Sequence, residues 1–250
     1  DGVQRVVTAP RLEVRLDHLG HNAATLVGRL ARRGVAVTAV TKATLGSPEI
    51  ARELLRAGVS TIGDSRIENL ERLRHAGIDA PTLLIRSPMI SQVDRVVASA
   101  DVSCNTEVDV IDRLSLAARG QRRRHGVILM VELGDLREGI LPRDLDDAVR
   151  STLSFPGIVL KGIGTNLACQ SGVVPDAVNM AELSRLAAGI AERFGITMDV
   201  VSGGNSANLD WALDSGSDVG LVNDLRLGES ILLGREPLHR RALDGLHTDV

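Results

Sequence analysis

Eight short β-branched or apolar runs recur along the chain, each separated from the next by a longer stretch with helical spacing. The runs lie at Val37–Thr41, Ser60–Gly63, Thr82–Arg86, Asp101–Cys104, Val127–Glu132, Ile158–Thr165, Asp199–Ser202 and Asp218–Val222. Strands buried on both faces read as near-continuous apolar runs, and parallel neighbours need a crossover that is usually a helix. Helices are expected at Pro48–Ala57, Arg66–Ala76, Ser91–Ala98, Glu107–Arg119, Pro142–Leu153, Asp176–Phe194 and Ser206–Leu213. In the sixth of these, Val178, Leu183, Leu186 and Ile190 fall near helical spacing, and Gly195 marks the stop. Upstream, Arg11–Leu16 alternates like a half-exposed strand, and Asp17 can cap a helix after it. Eight strands with helical crossovers predict a (β/α)8 barrel, an α/β fold. The alternative, an open doubly wound sheet, would carry a glycine fingerprint after its first strand, and "TKATLG" is not one. With no linker, repeat or low-complexity tract, residues 1–250 read as a single domain.

Charge and cysteine usage narrow the function classes. A net charge of −3 gives no electrostatic reason to expect nucleic acid. The run Arg122 to His125 precedes an apolar strand and reads as a solvated loop. No apolar run reaches membrane-spanning length. Cys104 and Cys169 form no disulfide framework, which favours a reducing cytoplasm. No histidine pair has metal-ligand spacing near another ligand, so no metal is expected; His18, His21, His75, His125 and His239 read as surface or helix-end residues. Trp211, Phe155 and Phe194 read as core.

Only two of the 29 basic residues are lysine, Lys42 and Lys161. Arginine serves as well as lysine for a surface cation, but only lysine can deprotonate to a free amine and form a Schiff base. Lys42 ends the first expected strand, so it sits at the barrel face where active sites are built. Lys161, entering the sixth strand, is expected to face solvent at the opposite end. A barrel phosphate site commonly follows strands seven and eight. There the chain reads "SGGNSAN", Ser202 to Asn208, and "LRLGES", Leu225 to Ser230. Their glycines let backbone approach an anion, and N–H groups at a helix start favour phosphate. A phosphate opposite an amine-reactive lysine suggests pyridoxal 5′-phosphate (PLP).

Together, "VTKATLG", "GDSRIENL", "VILMVELGDLREGI", "GIGTNLAC", "VSGGNSANL" and "LRLGESILLG" resemble the barrel domain of alanine racemase-type, fold-type III PLP enzymes. The resemblance runs from about Pro10 to Asp249 and is nearest the branch that includes ornithine racemase. It implies that Lys42 forms the Schiff base with PLP and moves the substrate α-proton on one face. Ser206, with backbone groups of Gly204, Gly228 and Glu229, would hold the phosphate. Arg226 would face the pyridine nitrogen. Arg137 would meet the cofactor's phenolic oxygen and the substrate carboxylate, a task suited to a bidentate fork. Asn166 stands where alanine racemases carry a histidine against the ring. The resemblance further implies a small amino-acid substrate and leaves room for a homodimer.

The sequence departs from that pattern twice. Met130 stands where alanine racemases often have a lysine. Those enzymes also draw a tyrosine, their second base, from a C-terminal β-domain, whereas this chain contains no tyrosine and ends about where that domain would begin. His247, Asp249 and Cys169 are the other titratable candidates near the expected mouth. An acidic cluster, Glu132, Asp135 and Glu138, flanks Arg137 and points to a cationic substrate side chain such as that of ornithine. "DSRIEN" could equally be a helix start with Asp64 as the acceptor, and Arg137 and Arg226 could be ion-pair partners of Glu132, Asp135 or Glu229. The expected function is PLP-dependent amino-acid racemisation. Two alternatives are a non-catalytic PLP-binding protein and a barrel lyase or aldolase using PLP with a metal.

Overall fold

The structure, a computed structural model, describes residues 12–169 and 172–250. Eight parallel strands close into a barrel in sequence order. They are β1 (Ala36–Val40), β2 (Thr61–Asp64), β3 (Thr82–Leu84), β4 (Val102–Asn105), β5 (His125–Val131), β6 (Ile158–Thr165), β7 (Val200–Ser202) and β8 (Asp224–Leu227). Closure comes from β1 against β8, with Thr38 beside Arg226. The helices are α1 (Leu16–Ala31), α2 (Pro48–Arg56), α3 (Ile67–His75), α4 (Val93–Ser99), α5 (Val108–Gly120), α6 (Leu145–Ser154), α7 (Ala177–Phe194), α8 (Leu209–Leu213) and α9 (Glu229–Leu233). No helix among the described residues is long and apolar enough to cross a membrane.

Strand alternation divides the apolar residues into two cores. Outward-facing residues such as Ile62, Leu129, Val201 and Leu225 pack with the helices into one large core. Inward-facing Leu83, Cys104, Ile128 and Met130 form a small separate cluster inside the barrel. Burial pushes the Cys104 thiol up to about 12, so it behaves as an apolar filler. The rest of the interior is polar: Thr38, Ser202, Asp224 and Arg226 are all buried. Gly162 is required where β6 meets β7, because a Cβ there would lie 1.7 Å from the Val200 carbonyl oxygen.

Strands one to seven lie within about two residues of their expected positions, and strand eight does not. Asp218–Val222 is turn, and β8 is the segment "DLRL". The apolar run at Gly220–Val222 mimics a strand, while the true strand alternates inward Asp224 and Arg226 with outward Leu225 and Leu227. The expected Arg11–Leu16 strand is also absent where it can be judged. Arg11 lies outside the described residues, residues 12–15 have no regular structure, and α1 begins at Leu16. Asp17 lies in the first turn of α1 and makes no side-chain cap. On α7, Leu183, Leu186 and Ile190 are buried but Val178 is 78% exposed; Gly195 ends the helix at φ 62°. Trp211 is buried, and Phe155 and Phe194 pack partly buried against the core. Lys161 is the residue skipped by the register shift between β5 and β6, and its Nζ pairs with Asp199 at 2.9 Å, at the strands' N-terminal end.

Candidate active site

β1 ends in a fixed turn that presents Lys42. The Thr41 N–H donates to the Gly63 carbonyl at 2.9 Å, and its hydroxyl donates to Asp64 Oδ2 at 2.8 Å. The other oxygen of buried Asp64 accepts from the Arg66 N–H at 2.9 Å and from Asn69 Nδ2 at 3.0 Å. "DSRIEN" is therefore a local acceptor motif, and it also ties the end of β2 to the residue before Lys42. A single 3-10 turn, Lys42–Thr44, follows, closed by Leu45 at φ 54°. Gly46 comes next at φ 62°, where a Cβ would sit 2.7 Å from Asn69 Cβ. Lys42 is exposed at the mouth, and its amine has no hydrogen-bond or ion-pair partner among the described residues.

Two helical turns start opposite. Asn205 caps the turn Ser206–Asn208 in a reciprocal capping box with Asn208. The Ser206 hydroxyl lies 3.0 Å from that of Ser230 and accepts the Ser230 N–H at 3.2 Å, joining this turn to the start of α9. The first N–H groups of each turn have no intrahelical partner. Gly204 stands behind this cradle: at φ 140° its missing Cβ would lie 2.2 Å from Asn208 Oδ1, and its carbonyl accepts the Arg226 N–H at 2.9 Å.

Between these two sides is a cavity of about 110 Å3. Lys42, Arg137, Asn166, Ser206, Arg226, Gly228 and Glu229 all line it, so seven of the eight residues expected at the site converge. Gly204 does not line it; its contribution is to the turn's shape. Val40, Ile85, Cys169 and Asn205 complete the wall. Three cations against one carboxylate, that of Glu229, make the cavity attractive to a phosphate and a substrate carboxylate.

Arg226 is 4% exposed and is held by neutral groups. It donates to Ser202 Oγ, to the Thr165 carbonyl at 2.7 Å and to Asn166 Oδ1 at 2.6 Å. Asn166 Nδ2 in turn donates to Glu138. Among the described residues the Arg137 guanidinium makes no hydrogen bond or ion pair. Neither arginine is therefore an ion-pair partner of Glu132, Asp135 or Glu229.

The acidic cluster around Arg137 resolves into scaffolding. Glu132 Oε1 accepts the N–H groups of Gly134 at 2.5 Å and Leu136 at 2.9 Å, Asp135 Oδ1 accepts the Val173 N–H at 2.7 Å, and Glu138 accepts from Asn166. His247 lies away from the cavity, its ring stacked on His18 at 3.8 Å and edge-on to His21. Asp249 bonds His18 and Arg15. His18, His247 and Asp249 do lie within 4.8 Å of one another, a spacing the sequence does not reveal. Parallel stacked rings, however, cannot aim in-plane lone pairs at one ion, and Arg15 already occupies the carboxylate. His125 is no surface residue: it opens β5, 1% exposed.

The family model for the alanine racemase N-terminal domain matches residues 14–235. The chain belongs to that family. Among curated members, it is 35% identical over 237 residues to a lysine racemase of Thermotoga maritima, covering 95% of this chain and 66% of that protein. It is 36% identical over 243 residues to an ornithine racemase of Acetoanaerobium sticklandii, covering 96% and 68%. The chain thus spans about two thirds of the length of these racemase relatives. Among solved structures, alanine racemase of Clostridium difficile 630 in complex with cycloserine superposes with a TM-score of 0.81 at 19% identity, covering 97% of this chain and 66% of that one. PipY of Synechococcus elongatus, with PLP bound, superposes with a TM-score of 0.71 at 18% identity, covering 86% and 99%. This alanine racemase-type barrel is common to all of them.

Proposed function

We propose that the chain is the PLP-binding barrel of an amino-acid racemase that acts on a basic amino acid. The observation that carries this reading is the unpartnered Lys42 amine facing two helix starts across one cavity. The residues fit the cofactor: N–H groups at Ser206, Gly228 and Glu229 and the Ser206 hydroxyl suit a phosphate, and Arg226 suits a ring nitrogen that is to stay unprotonated. PLP, when bound, supplies the carbonyl carbon that captures an amine and a ring that delocalises the electron pair left at Cα. Lys42 provides the amine that anchors the cofactor and then holds or returns the α-proton on its face. Arg137, exposed and unpaired, is placed to fork the substrate carboxylate.

The lysine and ornithine racemase relatives favour a cationic substrate side chain. With Glu132, Asp135 and Glu138 engaged as scaffolding, that preference moves to Glu229. It is the one carboxylate lining the cavity, and its side chain has no partner among the described residues.

Reconstitution with PLP followed by borohydride reduction tests the reading. A visible absorption band should form and the reduced label should map to Lys42, while Lys42→Arg should abolish both with the fold intact. Label on Lys161, or no PLP binding, would refute it. A PLP-loaded protein that turns over neither lysine nor ornithine, in any form of the gene product, would favour the non-catalytic alternative.

A further inference from the structure

Arg226 is a buried cation whose direct partners are all uncharged, and a guanidinium taken out of water needs compensation. Two carboxylates sit one group away: Glu138 beyond the Asn166 amide and, inside the barrel, Asp224 beyond a hydroxyl. Asp224, two residues earlier on β8 and also pointing inward, accepts the Ser202 hydroxyl at 2.6 Å through Oδ2 and the Thr38 hydroxyl at 2.7 Å through Oδ1. Ser202 in turn receives Arg226. Both carboxylate oxygens are thus occupied by hydroxyls, and neither meets the guanidinium directly. A direct Asp224–Arg226 ion pair would draw the side chain down the barrel axis, away from the cavity. The interposed serine keeps Arg226 at the cavity floor while leaving it a counter-charge. Asp224 also lines a second cavity of about 260 Å3 at the opposite end of the barrel, so the row of hydrogen bonds spans the interior from one cavity to the other.

We propose that Asp224 is a positioning residue, acting through Ser202 to hold Arg226 at the cavity floor. The proposal rests on the reading of that cavity as a PLP site only for its functional consequence; the positioning itself is a property of the cofactor-free chain. Burial raises the Asp224 carboxyl above its ordinary range, and the hydroxyls of Ser202 and Thr38 and the Arg226 charge oppose that rise. The two hydroxyls and the guanidinium beyond Ser202 all favour the carboxylate over the acid.

A double-mutant cycle on Asp224→Asn and Ser202→Ala tests this with two readouts. In cofactor-free protein, nitrogen-15 NMR of the Arg226 guanidinium should show faster rotation and proton exchange in each variant. In PLP-loaded protein, each should weaken PLP binding roughly tenfold, the scale of one hydrogen bond to a charged group. The double variant should lose no more than the larger single loss, because the two residues act in series. Unchanged Arg226 signals in Asp224→Asn, or losses that multiply in the double variant, would overturn the proposal. If Asp224→Asn fails to fold, Thr38→Val, which releases one oxygen of Asp224 without touching Arg226, decides by the same Arg226 signals. If wild-type chain binds no PLP, the cofactor reading fails, and the NMR arm still decides whether Asp224 positions Arg226.

Discussion

His125 makes the stability of the barrel depend on pH in a way that can be calculated and isolated. Its ring sits at the start of β5, and burial lowers it from 6.5 to about 4, against a smaller opposing hydrogen bond to Ala100 and the nearby Asp101 charge. Ser103 Oγ lies 2.8 Å from Nε2, so the neutral ring is satisfied in place. Because the folded value lies below the unfolded one, the contribution is complete above 6.5 and is lost as pH falls toward 4. Each pH unit between those values costs about 1.4 kcal/mol, so the full loss is about 3 kcal/mol, with about 2 kcal/mol gone near pH 5. His125→Gln keeps a polar side chain that does not titrate. Urea unfolding of both proteins between about pH 8 and about pH 5 gives the comparison. Wild type should lose about 2 kcal/mol more than the variant over that span. Parallel stability curves, or an NMR titration placing the His125 midpoint at or above 6.5, would refute the reasoning.

Gly204→Ala should displace Asn208 and deform the turn under Ser206, costing at least about 1 kcal/mol of stability for the positive φ; equilibrium titration should show weaker PLP binding although Lys42 is intact. Glu229→Gln should reduce the preference of PLP-loaded protein for ornithine over norvaline, which lacks the terminal amine; spectral titration with both would show an unchanged ratio if Glu229 plays no part in selection. The 250-residue chain, lacking tyrosine, should exchange the substrate α-proton in deuterated water faster than it inverts the centre, since loss of one general base typically costs about 10²–10⁴-fold. Cys169→Ala should slow any residual inversion seen by circular dichroism, and full turnover by that variant would eliminate the cavity's thiol as a base.

The barrel was legible because strands buried on both faces leave short β-branched runs between helical stretches. The same logic hid β8. Its inward Asp224 and Arg226 make it read as a polar loop, while the apolar run at Gly220–Val222 is turn. Lys42 and the two glycine-bearing turns opposite it could be placed because they are local features at strand ends. The Asp224–Ser202–Arg226 row could not, since the serine that joins the two β8 residues belongs to β7 and meets them only once those strands lie side by side. For the same reason His125 passed for a loop residue: its burial depends on Ser103 and the end of α4, neither near it in sequence. The acidic residues around Arg137 were visible as a cluster, but charge spacing says nothing about which backbone N–H groups will claim them.

Closure of β8 onto β1 has a consequence for synthesis. Lys42, the proposed anchor, leaves the ribosome early, while Arg226 and Gly228 follow only after six further strands have been made. At about 5–20 residues per second, that interval is on the order of ten seconds or more. During it the nascent chain has a lysine and no complete cradle, so a reactive aldehyde has nowhere to be retained. Acquisition of the cofactor would therefore be among the last events in maturation, and it would distinguish a closed ring from an open intermediate.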